Sequence, residues 1–142
     1  MRFWDASAIV PLVINEPQHS AIDALVEEDS ELLVWWSTPV EIVSALARRE
    51  REGLLQADEV TQAIAALTEL SETWEEIVPS DRIRRVATRL LRQHRLRAAD
   101  SLQLAAALVA ADDQPASLDI VSLDAKLNDI ARREGFRVID VP

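Results

Sequence analysis

The chain has 142 residues, of which 49% are hydrophobic and 28% charged, with no cysteine and a formal net charge of -10 at pH 7. That length suits one domain able to bury its own core, the composition lies far from that of disordered chains, and the missing cysteines exclude a disulfide framework, a thiolate metal site and a cysteine nucleophile. A sequence pI near 4.6 argues against broad neutralisation of nucleic-acid phosphates and toward basic partners, although an acidic nuclease site screened by divalent cations is compatible with the same charge.

Short apolar runs at 1–5, 32–36, 76–78, 119–123 and 136–141, rich in Val, Ile, Leu, Phe and Trp, predict five strands. The first run ends in FWDASAIV, where one carboxylate, Asp5, stands among apolar neighbours; out of water it needs a partner. After the second run, TPVEIVSALARREREGLL predicts a helix with Thr38 as N-cap, Pro39 at the first helical position and Gly53 past its Arg-rich end. Val60, Ile64, Leu67 and Leu70 make an apolar stripe at helical spacing, as do Ile83, Val86 and Leu90 behind a Ser80 cap. RAADSLQLAAALVAADD is apolar on nearly every face and predicts a helix buried by neighbours on several sides. DDQPAS is the expected surface loop, LDAKLNDIARREG a last helix ending at Gly135, and FRVIDV the closing strand. Alternating strands and helices predict an α/β domain with a mainly parallel sheet and helices on both faces. No run approaches the ~20 apolar residues that span a bilayer. No signal peptide is readable, so the cytosol is the expected compartment.

In open parallel sheets ligands bind beyond the carboxyl ends of the strands, where Asp5 lies. Glu41, Asp100 and Asp124 occupy comparable places, in the first turns of helices or at a strand end. Taken singly, Asp100 and Asp124 read as ordinary helix N-terminal acids and Glu41 as the third-position acid of a capping box. Taken together, four such acids in an α/β domain would converge on one crevice. Two unit charges about 4 Å apart repel by ~4 kcal/mol at an effective dielectric of 20, so such a cluster needs protons or a cation. Oxygen-only donors suit Mg²⁺ or Mn²⁺, and a divalent ion there can activate water against a phosphodiester.

These residues resemble the PIN-domain ribonucleases and, within them, the VapC toxins of type II toxin-antitoxin systems. FWDASAIVPLVINEP resembles the family's opening strand with its Asp-x-Ser and the following EP turn, and TPVEIVSALARRE its Glu-bearing second motif. LRAADSLQLAAAL is similar to the third motif, and IVSLDAKLNDIARREGFRVI to the fourth, in which Ser122 fills the usual Ser or Thr two residues before the Asp. The resemblance spans the chain and implies a single PIN-like domain over 1–142. It also implies a metal-dependent endoribonuclease in which Asp5, Glu41, Asp100 and Asp124 hold Mg²⁺ or Mn²⁺, with Asp5 and Asp100 as main ligands, Glu41 as ligand or water-orienting base and Asp124 as an outer or second-metal ligand. Ser7 and Ser122 would hydrogen-bond within the site; apart from the resemblance, Arg97 just before Asp100 is expected either to pair with the carboxylates or meet RNA, or to form a solvated or structural ion pair. A homodimer, an RNA substrate and a cognate antitoxin that blocks the site complete the expectation.

Trp35 and Trp36 are bulkier than the family pattern and are expected in the core. His19 and His94 are expected on helix surfaces, and the Arg-rich stretches on solvated faces, one of them lining an RNA path. Two other functions compete. An Asp-nucleophile phosphatase also begins from an acid at the first strand end, but wants a second acid where Ser7 stands; a PIN-type scaffold without activity would keep the fold alone.

Overall fold

The computed structural model describes residues 1–142 and has four strands, β1 (Arg2–Trp4), β2 (Leu32–Trp35), β3 (Glu75–Ile77) and β4 (Ile120–Val121), all paired in parallel in the order β3-β2-β1-β4. Parallel neighbours require crossovers, and seven helices provide them: α1 (Ala6–Val13), α2 (His19–Glu28), α3 (Thr38–Arg51), α4 (Ala57–Ser71), α5 (Asp81–Gln93), α6 (Ala98–Ala110) and α7 (Ala125–Arg133). No helix is long and apolar enough to cross a membrane.

Side chains alternate across a strand, so the sheet divides two cores. Phe3, Leu33, Trp35 and Ile120 face α5, α6 and α7, whereas Trp4, Leu32, Val34 and Val121 face α1 to α4. Strands buried on both faces read as the continuous apolar runs seen in the sequence. The Ala-rich helix α6 is the most enclosed: Leu104, Ala105, Ala106 and Ala107 are fully buried, and small side chains let it lie close to α5 and the sheet.

Several local expectations are corrected. Residues 136–141 form no fifth strand. Because β4 is only two residues long, Ile120 alone pairs with Val138 as an isolated parallel bridge, held by Ile120 N–H to Arg137 O and Ile139 N–H to Ile120 O at 2.9 and 2.8 Å. Thr38 is not the cap of α3. The helix begins at Thr38 after an uncapped Ser37, and Thr38 is fully buried. In α4 the buried stripe is Val60, Ala63 and Leu67, with Ile64 turned outward. Residues 6–28 fold into two helices that apolar spacing alone does not separate, since α1 is apolar on most faces and carries Pro11 inside it. The Ser80 cap holds, its Oγ accepting Ile83 N–H at 3.2 Å. Gly135 takes φ +98° just past α7, a left-handed turn that lets the chain reverse into Phe136.

Trp35 is buried as expected, but Trp36 is 55% exposed. His19 is half-buried rather than at the surface, its Nδ1 2.5 Å from Pro11 O, and His94 meets Glu134 at 2.9 Å.

Candidate active site

Asp5 leaves β1 and caps α1. Its Oδ2 accepts Ser7 N–H at 3.1 Å, Ser7 Oγ–H at 2.5 Å and Ser122 Oγ–H at 3.3 Å. Ser7 Oγ in turn accepts Leu123 N–H at 2.9 Å, and Ser122 Oγ accepts Asp124 N–H at 3.1 Å, which ties the ends of β1 and β4 together. The partner that the carboxylate needed is thus a pair of serines. They engage one oxygen only and leave Oδ1 without a protein hydrogen bond.

Glu41 stands in the first turn of α3, just beyond β2. Its Oε2 accepts a hydrogen bond from Gln103 Nε2, which also donates to Thr38 Oγ1 at 3.1 Å. Asp100 sits in the first turn of α6 with Arg97 Nε 3.3 Å from its Oδ2. Asp124 caps α7, Oδ1 accepting the N–H groups of Lys126 and Leu127 at 3.0 Å each.

Four separate segments therefore meet at the carboxyl ends of the strands. Asp5, Ser7, Glu41, Arg97, Asp100 and Asp124 line one crevice of about 490 Å³. Ser122 stays buried behind it and acts on Asp5 from beneath. One wall is a helical face of α3, where Glu41, Ser44, Ala45 and Arg48 recur at the i, i+3, i+4, i+7 spacing. Four carboxylates thus face two guanidiniums.

That surplus shows in proton affinity. Burial pushes the Asp5 carboxyl above its ordinary range against the Ser7 and Ser122 hydrogen bonds, and the charge of Asp100 adds to it. The Glu41 pKa is raised from 4.5 to about 7 in all: burial is the largest cause, the Gln103 hydrogen bond opposes it, the charges of Asp5 and Asp100 add to it, and Arg97 opposes it. Oxygen donors whose charges oppose each other in this way fit a hard divalent cation by type. The four nevertheless stand apart, with no three close enough to enclose an ion, because Glu41, Asp100 and Asp124 each lean on a different partner.

The sequence reading gives Gln103, Ser44 and Arg48 no place in the site, and gives Thr38 only that of a helix cap. Gln103 had a signal: it is the one amide in the apolar middle of α6, three residues after Asp100 and hence on the same face. It is fully buried, and its Oε1 has no hydrogen-bond partner.

Across residues 2–133 the chain matches the family model for the PIN domain. The chain belongs to the PIN-domain family. Among solved structures this PIN domain is similar to FitAcB from Neisseria gonorrhoeae, with a TM-score of 0.68 and 14% identity over 99% of this chain and 97% of the other. It is also similar to FitAB bound to the IR36 DNA fragment (TM-score 0.66, 12% identity, 98% and 94% covered). PAE2754 from Pyrobaculum aerophilum gives a TM-score of 0.58 at 21% identity, with 94% and 93% covered. At such identities the likeness is one of fold. No curated protein matches the sequence significantly.

Proposed function

We propose that this PIN domain is a metal-dependent endoribonuclease, the toxin of a type II toxin-antitoxin pair, with Asp5, Glu41, Asp100 and Asp124 as its catalytic carboxylates. One observation carries the reading: four acids from four chain segments share a crevice at the carboxyl ends of a parallel sheet, with Asp5 buried and one of its oxygens unengaged. Acids that served only as helix caps would have no reason to face one another there.

Asp5 and Asp100 are the principal candidates to hold Mg²⁺ or Mn²⁺, with Glu41 and Asp124 beside them. A bound divalent ion supplies an acidified water and charge neutralisation for a phosphodiester. The chain's own residues do the rest. Ser7 and Ser122 fix the Asp5 carboxylate in one orientation through Oδ2. Gln103 holds Glu41, whose pKa near 7 suits a group that accepts or returns a proton at neutral pH. Arg97 and Arg48 reach the crevice and offer guanidiniums to the phosphates of an RNA strand. Ser7 donates to Asp5 where a phosphatase would place a second acid, which tells against the Asp-nucleophile alternative. A homodimer and an acid-neutralising antitoxin belong to the same reading, and the excess of negative charge suits a basic antitoxin segment.

The test is cleavage of structured RNA with Mg²⁺ or Mn²⁺ by the wild type, Asp5→Asn and Asp100→Asn. Cleavage by the wild type alone, abolished by EDTA, is expected. Equal cleavage by all three, or cleavage that survives EDTA, would refute the assignment; no cleavage by any would leave a PIN scaffold without activity.

A further inference from the structure

Seven of the fifteen basic residues of this acidic chain fall between Arg82 and Arg97. Four are engaged: Arg82 meets Asp112 and Asp113, Arg84 meets Asp81, Arg89 meets Glu134 and Arg97 meets Asp100. Arg95 is not, and it lines a second pocket of about 300 Å³ together with Lys126 and Arg133. In the same pocket His94 is committed to Glu134 at 2.9 Å, and Arg133 to Asp129 at 3.0 Å. Arg95 and Lys126 have no acidic partner; both are exposed, and Asp129 is the single carboxylate in the lining.

The place of this pocket gives it meaning. Arg95 lies two residues from Arg97, and Lys126 two residues from Asp124, both of which line the carboxylate crevice. Two residues of chain span at most about 7 Å, so at both links, residues 95–97 and the 124–126 start of α7, the backbone that lines one pocket lies within that distance of the backbone that lines the other. An acid-rich centre therefore lies beside a basic pocket with two free cations. A polyanion whose charges repeat along a backbone matches that sequence of sites: one phosphate over the carboxylates, where a cation is required, and the neighbouring one beside Arg95 and Lys126, where none is.

We propose that the Arg95 and Lys126 pocket is a phosphate subsite, holding the backbone phosphate of the RNA nucleotide that flanks the cleaved bond. It rests on the ribonuclease reading for the identity of the strand, and it sets the direction in which the strand leaves the crevice, along the start of α7 toward α5.

Lys126 is the only lysine in the chain, so side-chain acetylation followed by mass spectrometry reads this pocket alone. The experiment uses Glu41→Gln protein with Mg²⁺, so that the RNA survives, and a short single-stranded RNA of mixed sequence. RNA is expected to slow Lys126 acetylation at least about threefold. Lys126→Gln and Arg95→Gln should each weaken RNA binding and reduce the dependence of log affinity on log salt by about 0.7, the loss of one single-strand phosphate contact. Arg84→Gln, which removes an equal charge from α5 away from the pocket, should leave that slope unchanged. Unchanged acetylation under saturating RNA, unchanged slopes in both pocket variants, or no RNA binding at all would overturn the subsite. If the wild type cleaves RNA with Lys126 unprotected, the subsite alone fails; if Lys126 is protected and the wild type does not cleave, the ribonuclease reading alone fails.

Discussion

Replacing Glu41 by Gln should make the protein more stable at neutral pH in EDTA, because the carboxylate is held where its charge is unwelcome. Raising its pKa from 4.5 to about 7 corresponds to roughly 3 kcal/mol at 1.36 kcal/mol for each tenfold change in proton affinity. Water still reaches one side of this half-buried group, which lowers the expected gain to about 1–2 kcal/mol. The introduced amide keeps an oxygen that can accept the Gln103 N–H, so the hydrogen bond is retained. Linkage sets the pH window. The folded pKa is raised, so wild-type stability is complete below about 4.5 and declines as pH rises toward about 7, after which it is level. Glu41→Gln should therefore match the wild type at pH 4 and exceed it by roughly 2–8 °C in melting temperature at pH 8, at about 2–4 °C per kcal/mol for a chain of this size. Thermal unfolding by circular dichroism in EDTA across that range is the assay. A variant that is less stable at pH 8, or whose difference from the wild type does not change with pH, would refute the idea that Glu41 carries an unfavourable charge.

Three further outcomes are expected. Gln103→Leu removes the donor to Glu41 and Thr38 together with an oxygen that has no partner; stability should change by no more than about 1 kcal/mol, while RNA cleavage should fall and its acid limb move to higher pH as Glu41 loses a bond that favours the charged form. Glu134 is partly buried, which opposes its charge, yet the Arg89 and His94 hydrogen bonds outweigh this and hold its pKa below the ordinary value. Its contribution is thus present above about pH 4.5 and lost as pH falls through the folded pKa, so Glu134→Gln should cost about 0.5–1 kcal/mol at pH 7 in urea unfolding, with the difference vanishing in acid. Trp36 is 55% exposed whereas Trp4, Trp35 and Trp74 are buried, so Trp36→Phe should abolish most acrylamide quenching of tryptophan fluorescence; unchanged quenching would place the exposed indole elsewhere.

Periodicity carries the helices well because it follows from backbone geometry that any neighbour must accept. The stripe of α5 and the enclosed, Ala-rich α6 were legible for that reason, as was the parallel sheet with helices on both faces. The failures fall where a third party decides. FRVIDV has the composition of a strand, but β4 beside it is two residues long and offers one residue of pairing, so the run remains a bridge. Thr38 has the type and position of a cap, yet packing of α3 against the sheet and α6 buries it and turns its hydroxyl to Gln103. Trp36 is as apolar as Trp35, but Trp35 is the last residue of a strand covered on both faces, whereas Trp36 lies past the end of β2 in solvent.

The candidate site divides along the same line. Asp5, Glu41, Asp100 and Asp124 are visible in the sequence because each stands at a strand end or in a first helical turn, places where local geometry exposes a side chain to the mouth of a parallel sheet. Sequence alone also excludes thiolate chemistry and leaves oxygen donors as the available set. Which partner each carboxylate takes was decided only by tertiary structure. Glu41 meets Gln103 across 62 residues of chain and Asp5 meets Ser122 across 117. Contacts of that kind depend on how α3, α6 and the ends of β1 and β4 pack together, and that packing raises the proton affinity of Asp5 and Glu41 by taking them out of water.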